Sequence, residues 1–193
     1  MGHREALLEG AKRCLLEKGF VRTTARDIVK ESGTNLASIG YHYGSKDALL
    51  AQAYVSLSEG TSDAFDAGSG LATPPGSLER FQEVWANIIG TLGKPGSIWP
   101  LSMELVVMGD TMPTVRDYVA AAQGEGARGV IPMFMGGKEP PADDPSVDTL
   151  GKLYMTLMLG VIARYTFDAD SAATAEELTQ GMRQLLEAAR RAG

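Results

Sequence analysis

The sequence predicts an all-α fold, and three observations carry that prediction. Apolar residues recur at three- and four-residue spacing in almost every segment between punctuating glycines and prolines. Hydroxyl or amide side chains stand at the heads of several of those segments, where a helix needs a cap. No stretch sustains the apolar–polar alternation of a half-buried strand, and no internal repeat is present.

In order along the chain, Leu7, Leu8, Ala11, Cys14 and Leu15 mark a first helix that Gly19 ends as a C-cap. Thr24 and Asp27 have the spacing of a capping box and open a second helix carrying Ala25, Ile28 and Val29, which stops at Ser32-Gly33. Asn35 caps a short third helix with Leu36 and Ile39 that Gly44 terminates, and Ser45 caps a fourth from Lys46. A loop by composition, "GSGLATPPGS" (68–77), separates this region from helical patterns near 78–92, 98–109 and 113–135. Gly-Lys-Pro-Gly and the stretch from Gly109 to Pro113 break those patterns apart. A second loop, "GGKEPPADDPS" (136–146), has the composition of a mobile segment. Two long helices close the chain. One carries Leu150, Leu153, Tyr154, Leu157, Met158, Val161 and Ile162; the other opens on the Thr174/Glu177 capping box and runs through Leu178, Met182, Leu185, Leu186 and Ala189.

Composition excludes several function classes. At 193 residues, 44% hydrophobic and 22% charged, the chain suits a folded core rather than disorder. No apolar run approaches the roughly 18–20 residues of a membrane span, and the N-terminus lacks a signal-peptide core, so a cytoplasmic location is expected. One cysteine, Cys14, leaves no internal disulfide or cysteine-built metal cage, and its place on an apolar stripe points to core packing. With His3 and His42 the only histidines, neither a histidine-rich metal site nor a Ser-His-Asp triad is available to the C-terminal part. No metal, cofactor or catalytic residue is predicted, and no enzymatic role. The run Gly124-Glu125-Gly126-Ala127-Arg128-Gly129 fits a dinucleotide-binding pattern by letter. A helical pattern precedes it where that site needs a strand, so a locally loosened helix is expected instead.

Charge is uneven. The net charge is −6, but residues 1–55 hold eight basic against six acidic side chains, net +2, leaving ten against eighteen, net −8, in the remainder. The first segment can approach a polyanion that the second avoids. Two helices joined by a tight glycine turn and packed on a preceding helix make a helix-turn-helix, whose second helix enters the DNA major groove. That helix presents Thr34, Asn35, Ala37 and Ser38, short side chains that allow close approach to base edges. Ile39 should face the core while Leu36 is exposed to thymine methyls, and Tyr41, His42 and Lys46 offer groups suited to phosphate oxygens.

The run from Gly19-Phe20 through Thr23-Thr24, Asp27-Ile28-Val29 and Ser32-Gly33 to Tyr41-His42-Tyr43-Gly44-Ser45-Lys46-Asp47-Ala48-Leu49 resembles the N-terminal domain of TetR-type transcriptional regulators over roughly residues 5–52. The rest resembles that family only in layout. The resemblance implies a homodimer on an inverted-repeat operator of double-stranded DNA and a C-terminal cavity for a small-molecule effector. It implies that Arg26 contacts phosphate, that Asn35, Leu36, Ala37 and Ser38 meet bases, that Tyr41 and His42 face backbone or base, and that Lys46 anchors phosphate. Gly40 departs from the family pattern, which often has tyrosine there, and removes one aromatic phosphate contact.

Residues 1–46 are therefore expected to form a three-helix DNA-binding bundle, and residues 47–193 a larger helical ligand-binding and dimerisation domain. The middle of the chain is rich in methionine and aromatic side chains, including Met112, Met133 and Met135, and nine methionines in all make an adaptable lining. With the resemblance, Trp85, Trp99, Met103, Met108, Tyr118, Phe134, Tyr154 and Met158 are the candidate lining of a mostly apolar cavity. Asn87, Glu104, Arg128 and Tyr154 are its candidate polar handles. The last two helices have apolar stripes wider than one core face needs, with Gly151, Gly160 and Gly181 available for close approach; a two-fold four-helix dimer interface satisfies them. The function predicted is that of a ligand-responsive, dimeric repressor. The alternatives are a helical small-molecule binding protein without a DNA role and an all-α enzyme using the cavity.

Overall fold

A computed structural model describes residues 2–68, 71–108 and 111–193. Residues 69–70 of the first expected loop, and residues 109–110 of the expected break from Gly109 to Pro113, lie outside the described residues. Nine α-helices and no strand occur among the described residues: α1 (His3–Arg22), α2 (Ala25–Ser32), α3 (Leu36–Tyr43), α4 (Lys46–Gly68), α5 (Leu78–Leu92), α6 (Trp99–Met108), α7 (Pro113–Met135), α8 (Lys152–Phe167) and α9 (Ala175–Ala192). The all-α prediction holds.

The chain forms two compact units. The first comprises Met1–Asp63 and Pro95–Gln123, so the N-terminal helices share a core with α6 and the start of α7. Leu7, Ala11, Cys14 and Leu15 of α1 lie on one stripe and are buried against Ile28 of α2, Ile39 and Tyr43 of α3, Leu49 and Leu50 of α4, and Leu101, Met108 and Val115. Burial pushes the Cys14 thiol up, which suits a packing role over a reactive one. Gly10 makes the α1–α2 crossing possible: a Cβ there would sit 2.9 Å from the Ser32 Cβ and 3.1 Å from the Ser32 nitrogen.

Gly19 does more than cap. It takes φ 77° and ψ −179°, a conformation essentially confined to glycine, and it bends the chain within the span of α1 rather than ending it. Thr23, just beyond, is buried and donates its hydroxyl to the Gly19 carbonyl at 2.6 Å. The Thr24/Asp27 capping box forms as expected, with the Asp27 N–H donating to Thr24 Oγ1 at 3.2 Å and the Thr24 N–H to Asp27 Oδ2 at 2.9 Å.

The second unit comprises Ala64–Lys94 and Gly124–Gly193. Its core is built on α5, where Phe81, Val84, Trp85, Ile88 and Leu92 recur at helical spacing and are buried. Around α5 pack α8, α9 and the end of α7, bringing in Phe134, Tyr154, Val161 and Ile162. Residues 124–129 lie inside the continuous helix α7, so the glycine run is neither a loop nor preceded by a strand. The loop of 136–146 is tied down, since Arg128 Nε donates to the Pro140 carbonyl at 2.9 Å. The helix expected from Leu150 begins instead as a π-helical turn, Val147–Gly151. There Gly151 lets the Ala127 carbonyl oxygen approach to 2.5 Å of where a Cβ would stand. Gly160 and Gly181 have open space and permit no close approach within this chain.

Candidate functional site

The turn between α2 and α3 is built from local hydrogen bonds. Gly33 caps α2 in the left-handed conformation with its N–H on the Val29 carbonyl, and the Thr34 N–H donates to the same oxygen at 3.1 Å. The Ser32 and Thr34 hydroxyls pair at 2.8 Å. Asn35 then starts α3: its Oδ1 accepts the Ser38 N–H at 3.1 Å and the Ser38 hydroxyl at 3.2 Å. The acceptor side of Asn35 is therefore committed to the cap, and its amide NH2 is the group left for a partner. Ser38 is only 9% exposed, held beneath that cap.

On α3 the exposed positions are Leu36, Ala37, Gly40 and Tyr41, one helical face, while Ile39 and Tyr43 turn inward. Leu36 is 52% and Tyr41 86% exposed, large apolar and aromatic groups on a stripe otherwise of small residues. A Cβ at Gly40 would meet nothing within 4 Å. The far end of α3 is fixed by Tyr43, whose hydroxyl donates to the Arg4 carbonyl at 2.7 Å. His42 is half-buried with its ring edge-on to Tyr41, centroids 4.8 Å apart. Ser45 caps α4 through the Ala48 N–H at 3.0 Å, and Lys46 lies beside Asp47 at 3.1 Å and the Thr23 carbonyl at 3.4 Å.

Pairing redistributes the positive charge that the sequence counts as one block. Lys18 binds Asp27 at 2.6 Å and Arg13 binds Glu31 at 2.6 Å, both across helices. The Lys18 ammonium, with Thr24, holds the Asp27 carboxyl well below the usual carboxylate range. Arg26 is exposed and is in none of the ion pairs found among the described residues; the same holds for Arg22 and Lys30. The resemblance singled out Arg26 and not the other two, and the pairing of Lys18 and Arg13 with partners 9 and 18 positions away does not show in local charge spacing.

The eight residues assigned to an effector cavity divide equally between the units. Trp85, Phe134, Tyr154 and Met158 lie in the second, Trp99, Met103, Met108 and Tyr118 in the first. In the second unit a cluster forms: Phe134 stacks on Tyr154 with centroids 4.0 Å apart and planes at 10°, and stands 5.8 Å from Trp85. Phe81, which sequence reasoning missed, joins it 5.7 Å from Phe134; its signal was the four-residue spacing to Trp85. Met158 is half-buried. In the first unit Trp99 and Met108 are buried, Met103 is half-buried and Tyr118 is exposed. Two expected polar handles are already engaged. Glu104 accepts the Phe20 and Val21 N–H groups, and Arg128 is bound to Glu125 and Pro140. Asn87 is exposed and Tyr154 buried. A surface cleft of about 430 Å³ in the second unit is lined by Arg80, Met133 and Gly136 among others, and by none of the predicted eight.

Comparison with known proteins places the N-terminal region. Residues 7–53 match the family model of bacterial regulatory proteins, tetR family. Over those residues the chain is similar to the N-terminal domain of that family. The same region is similar to the HTH-type transcriptional repressor AcnR of Corynebacterium efficiens, 36% identical over 47 residues, which is 24% of this chain and 25% of that repressor. The similarity thus spans about a quarter of the curated relative. Solved structures extend the likeness in fold beyond residues 7–53. The multidrug binding protein EbrR complexed with ethidium superposes with a TM-score of 0.70 at 21% identity, covering 95% of this chain and 98% of that one. A TetR transcription regulator from Haloarcula marismortui gives 0.63 at 18% identity, covering 96% and 97%. No helix among the described residues is long and apolar enough to cross a membrane.

Proposed function

We propose that the protein is a ligand-responsive repressor that binds an inverted-repeat operator as a homodimer in the cytoplasm. Residues 1–46 read the DNA, and residues 47–193 bind the effector and the second subunit. The observation that carries this is the outward face of α3 on a TetR-type domain: Leu36, Ala37, Gly40 and Tyr41 exposed together, on a helix pinned at both ends by Asn35 and Tyr43. A rigid helix with small residues and one leucine on its free face suits the major groove, where the leucine meets thymine methyls. Arg26, Tyr41, His42 and Lys46 supply phosphate contacts that fix register. The two α3 helices of the dimer would enter successive major grooves about 34–36 Å apart.

The dimer is assigned to α8 and α9, where Leu153, Leu159, Leu185 and Leu186 are exposed in the single chain. The effector is assigned to the helical C-terminal part, supported by the aromatic cluster of Trp85, Phe134 and Tyr154 and by structural relatives solved with ethidium and with proflavin. It shifts DNA affinity only by its difference in affinity for the two conformations, typically ~1–3 kcal/mol of coupling.

The test is footprinting on DNA flanking the protein's own gene, with selection from random sequence alongside, each at two salt concentrations. A protected inverted repeat that salt weakens, and that Tyr41→Ala weakens on every sequence alike, is the expected result. A folded dimer that selects no sequence overturns the assignment.

A further inference from the structure

Two hydrogen-bond donors in the aromatic cluster of the second unit have poor internal partners. Trp85 is fully buried, and its Nε1–H has no acceptor among the described residues. Buried indole nitrogens ordinarily find one, and a donor left without one weakens the fold. Among the described residues the Tyr154 hydroxyl, also buried, reaches only the Met135 sulfur at 3.7 Å, and a thioether is a weak acceptor. Both donors belong to a single aromatic cluster, since Phe134 stacks on Tyr154 and stands 5.8 Å from Trp85. Two independent donors lacking an oxygen acceptor within one apolar cluster point to what the cluster receives.

We propose that Trp85 Nε1–H and the Tyr154 hydroxyl orient the effector, and that they select a neutral, planar aromatic molecule bearing a carbonyl-type acceptor. This deepens the effector role proposed above and rests on it. The choice against a cation follows from the residues. Aromatic faces attract cations, but a cation brings no acceptor for either donor. The side chains that make up the cluster, Phe81, Trp85, Phe134 and Tyr154, include no carboxylate. A charge entering the cluster would be desolvated without a counter-ion, whereas a carbonyl satisfies donors that are otherwise left over. Burial raises the Tyr154 phenol, so the hydroxyl stays protonated and donating at neutral pH. Met135, unbranched and 41% exposed, is the side chain able to swing from the hydroxyl and admit the ligand.

The experiment uses matched pairs that differ only in the acceptor: 9-fluorenone against fluorene and 1-indanone against indane, with ethidium as the cationic comparison. Binding to the full chain is read by tryptophan fluorescence and calorimetry. At least one ketone should bind about tenfold tighter than its hydrocarbon, the value of one added hydrogen bond. Trp85→Phe keeps an aromatic side chain and loses the donor, so the preference, read by calorimetry in this variant, should fall to near parity; Tyr154→Phe should reduce it as well and serves if the first variant misfolds. No ketone binding, equal binding of ketone and hydrocarbon, tighter binding of ethidium, or a preference that survives both variants would each overturn the proposal. DNA selection on the same preparation reports separately on the regulator role, so the two can fail independently.

Discussion

The Glu104 carboxylate accepts the Phe20 N–H at 2.8 Å and the Val21 N–H at 2.9 Å, joining α6 to the end of α1 across more than eighty positions of sequence. The two amides follow the bend at Gly19, where the backbone departs from helical geometry, and the carboxylate takes them as a cap takes the first amides of a helix. A Cβ on Gly19 would stand 2.5 Å from that carboxylate. Glu104→Ala should therefore cost about 1–3 kcal/mol in urea unfolding, with Glu104→Gln recovering part of it. A loss below a few tenths would mean that water replaces the carboxylate without penalty.

Gly10 tests the packing of α1 on α2. Gly10→Ala should destabilise by about 1–3 kcal/mol despite alanine's better helix propensity, because the added methyl meets Ser32 backbone and Cβ rather than a flexible tip. The thermal midpoint checks it, and a rise in that midpoint would contradict the crossing distance.

Asp27 links stability to acid. Its folded-state carboxyl is depressed by the Lys18 hydrogen bond first and by Thr24 second, so its contribution is fully present above the ordinary aspartate range. That contribution should disappear progressively as pH falls below about 4. Asp27→Asn should narrow its stability gap to the wild type between pH 6 and pH 3. A constant gap across that window would remove the ion pair from the account.

The α2–α3 turn makes a prediction about α3 itself. Asn35→Ala should cost about 1 kcal/mol through the lost cap, and Asn35→Asp much less. In operator selection, Leu36→Ala should alter base preference at one step in each half-site. Arg26→Gln should instead weaken all sequences alike and lower the salt slope by about one. An unchanged consensus with Leu36→Ala would place α3 in another orientation.

Much of this was legible in the chain. The caps at Thr24, Asn35, Ser45 and Thr174 form where hydroxyl and amide side chains announce them, since a cap is a local hydrogen bond within three residues. The α5 stripe is legible for the same reason. What stayed hidden is non-local. Glu104 reads as a free polar handle until α6 meets Gly19, and Arg128 reads so until the 136–146 loop returns to it. The eight aromatic and methionine residues share a chemistry but fall four to each unit, a division that periodicity does not show because it carries no information about which helices converge. The π-helical turn at Val147–Gly151 has no sequence signature beyond the glycine that admits the Ala127 carbonyl.

An α9 surface variant tests the dimer. Leu185, 67% exposed, should tolerate Leu185→Glu without loss of helix content, while the sedimenting species shifts from dimer to monomer and operator affinity falls. A dimer that survives the charge would move the interface elsewhere.

Gly40 has a consequence for descent. Nothing stands within 4 Å of the place its side chain would occupy, although it sits in the middle of the exposed face of α3. Any residue but proline can be written there without disturbing the core beneath, and most would strengthen the helix, alanine by up to about 1 kcal/mol. If α3 reads DNA as proposed, a lineage carrying this chain could change the sequence it recognises by one codon at no structural cost, acquiring new target genes before any other part of the protein has to adapt.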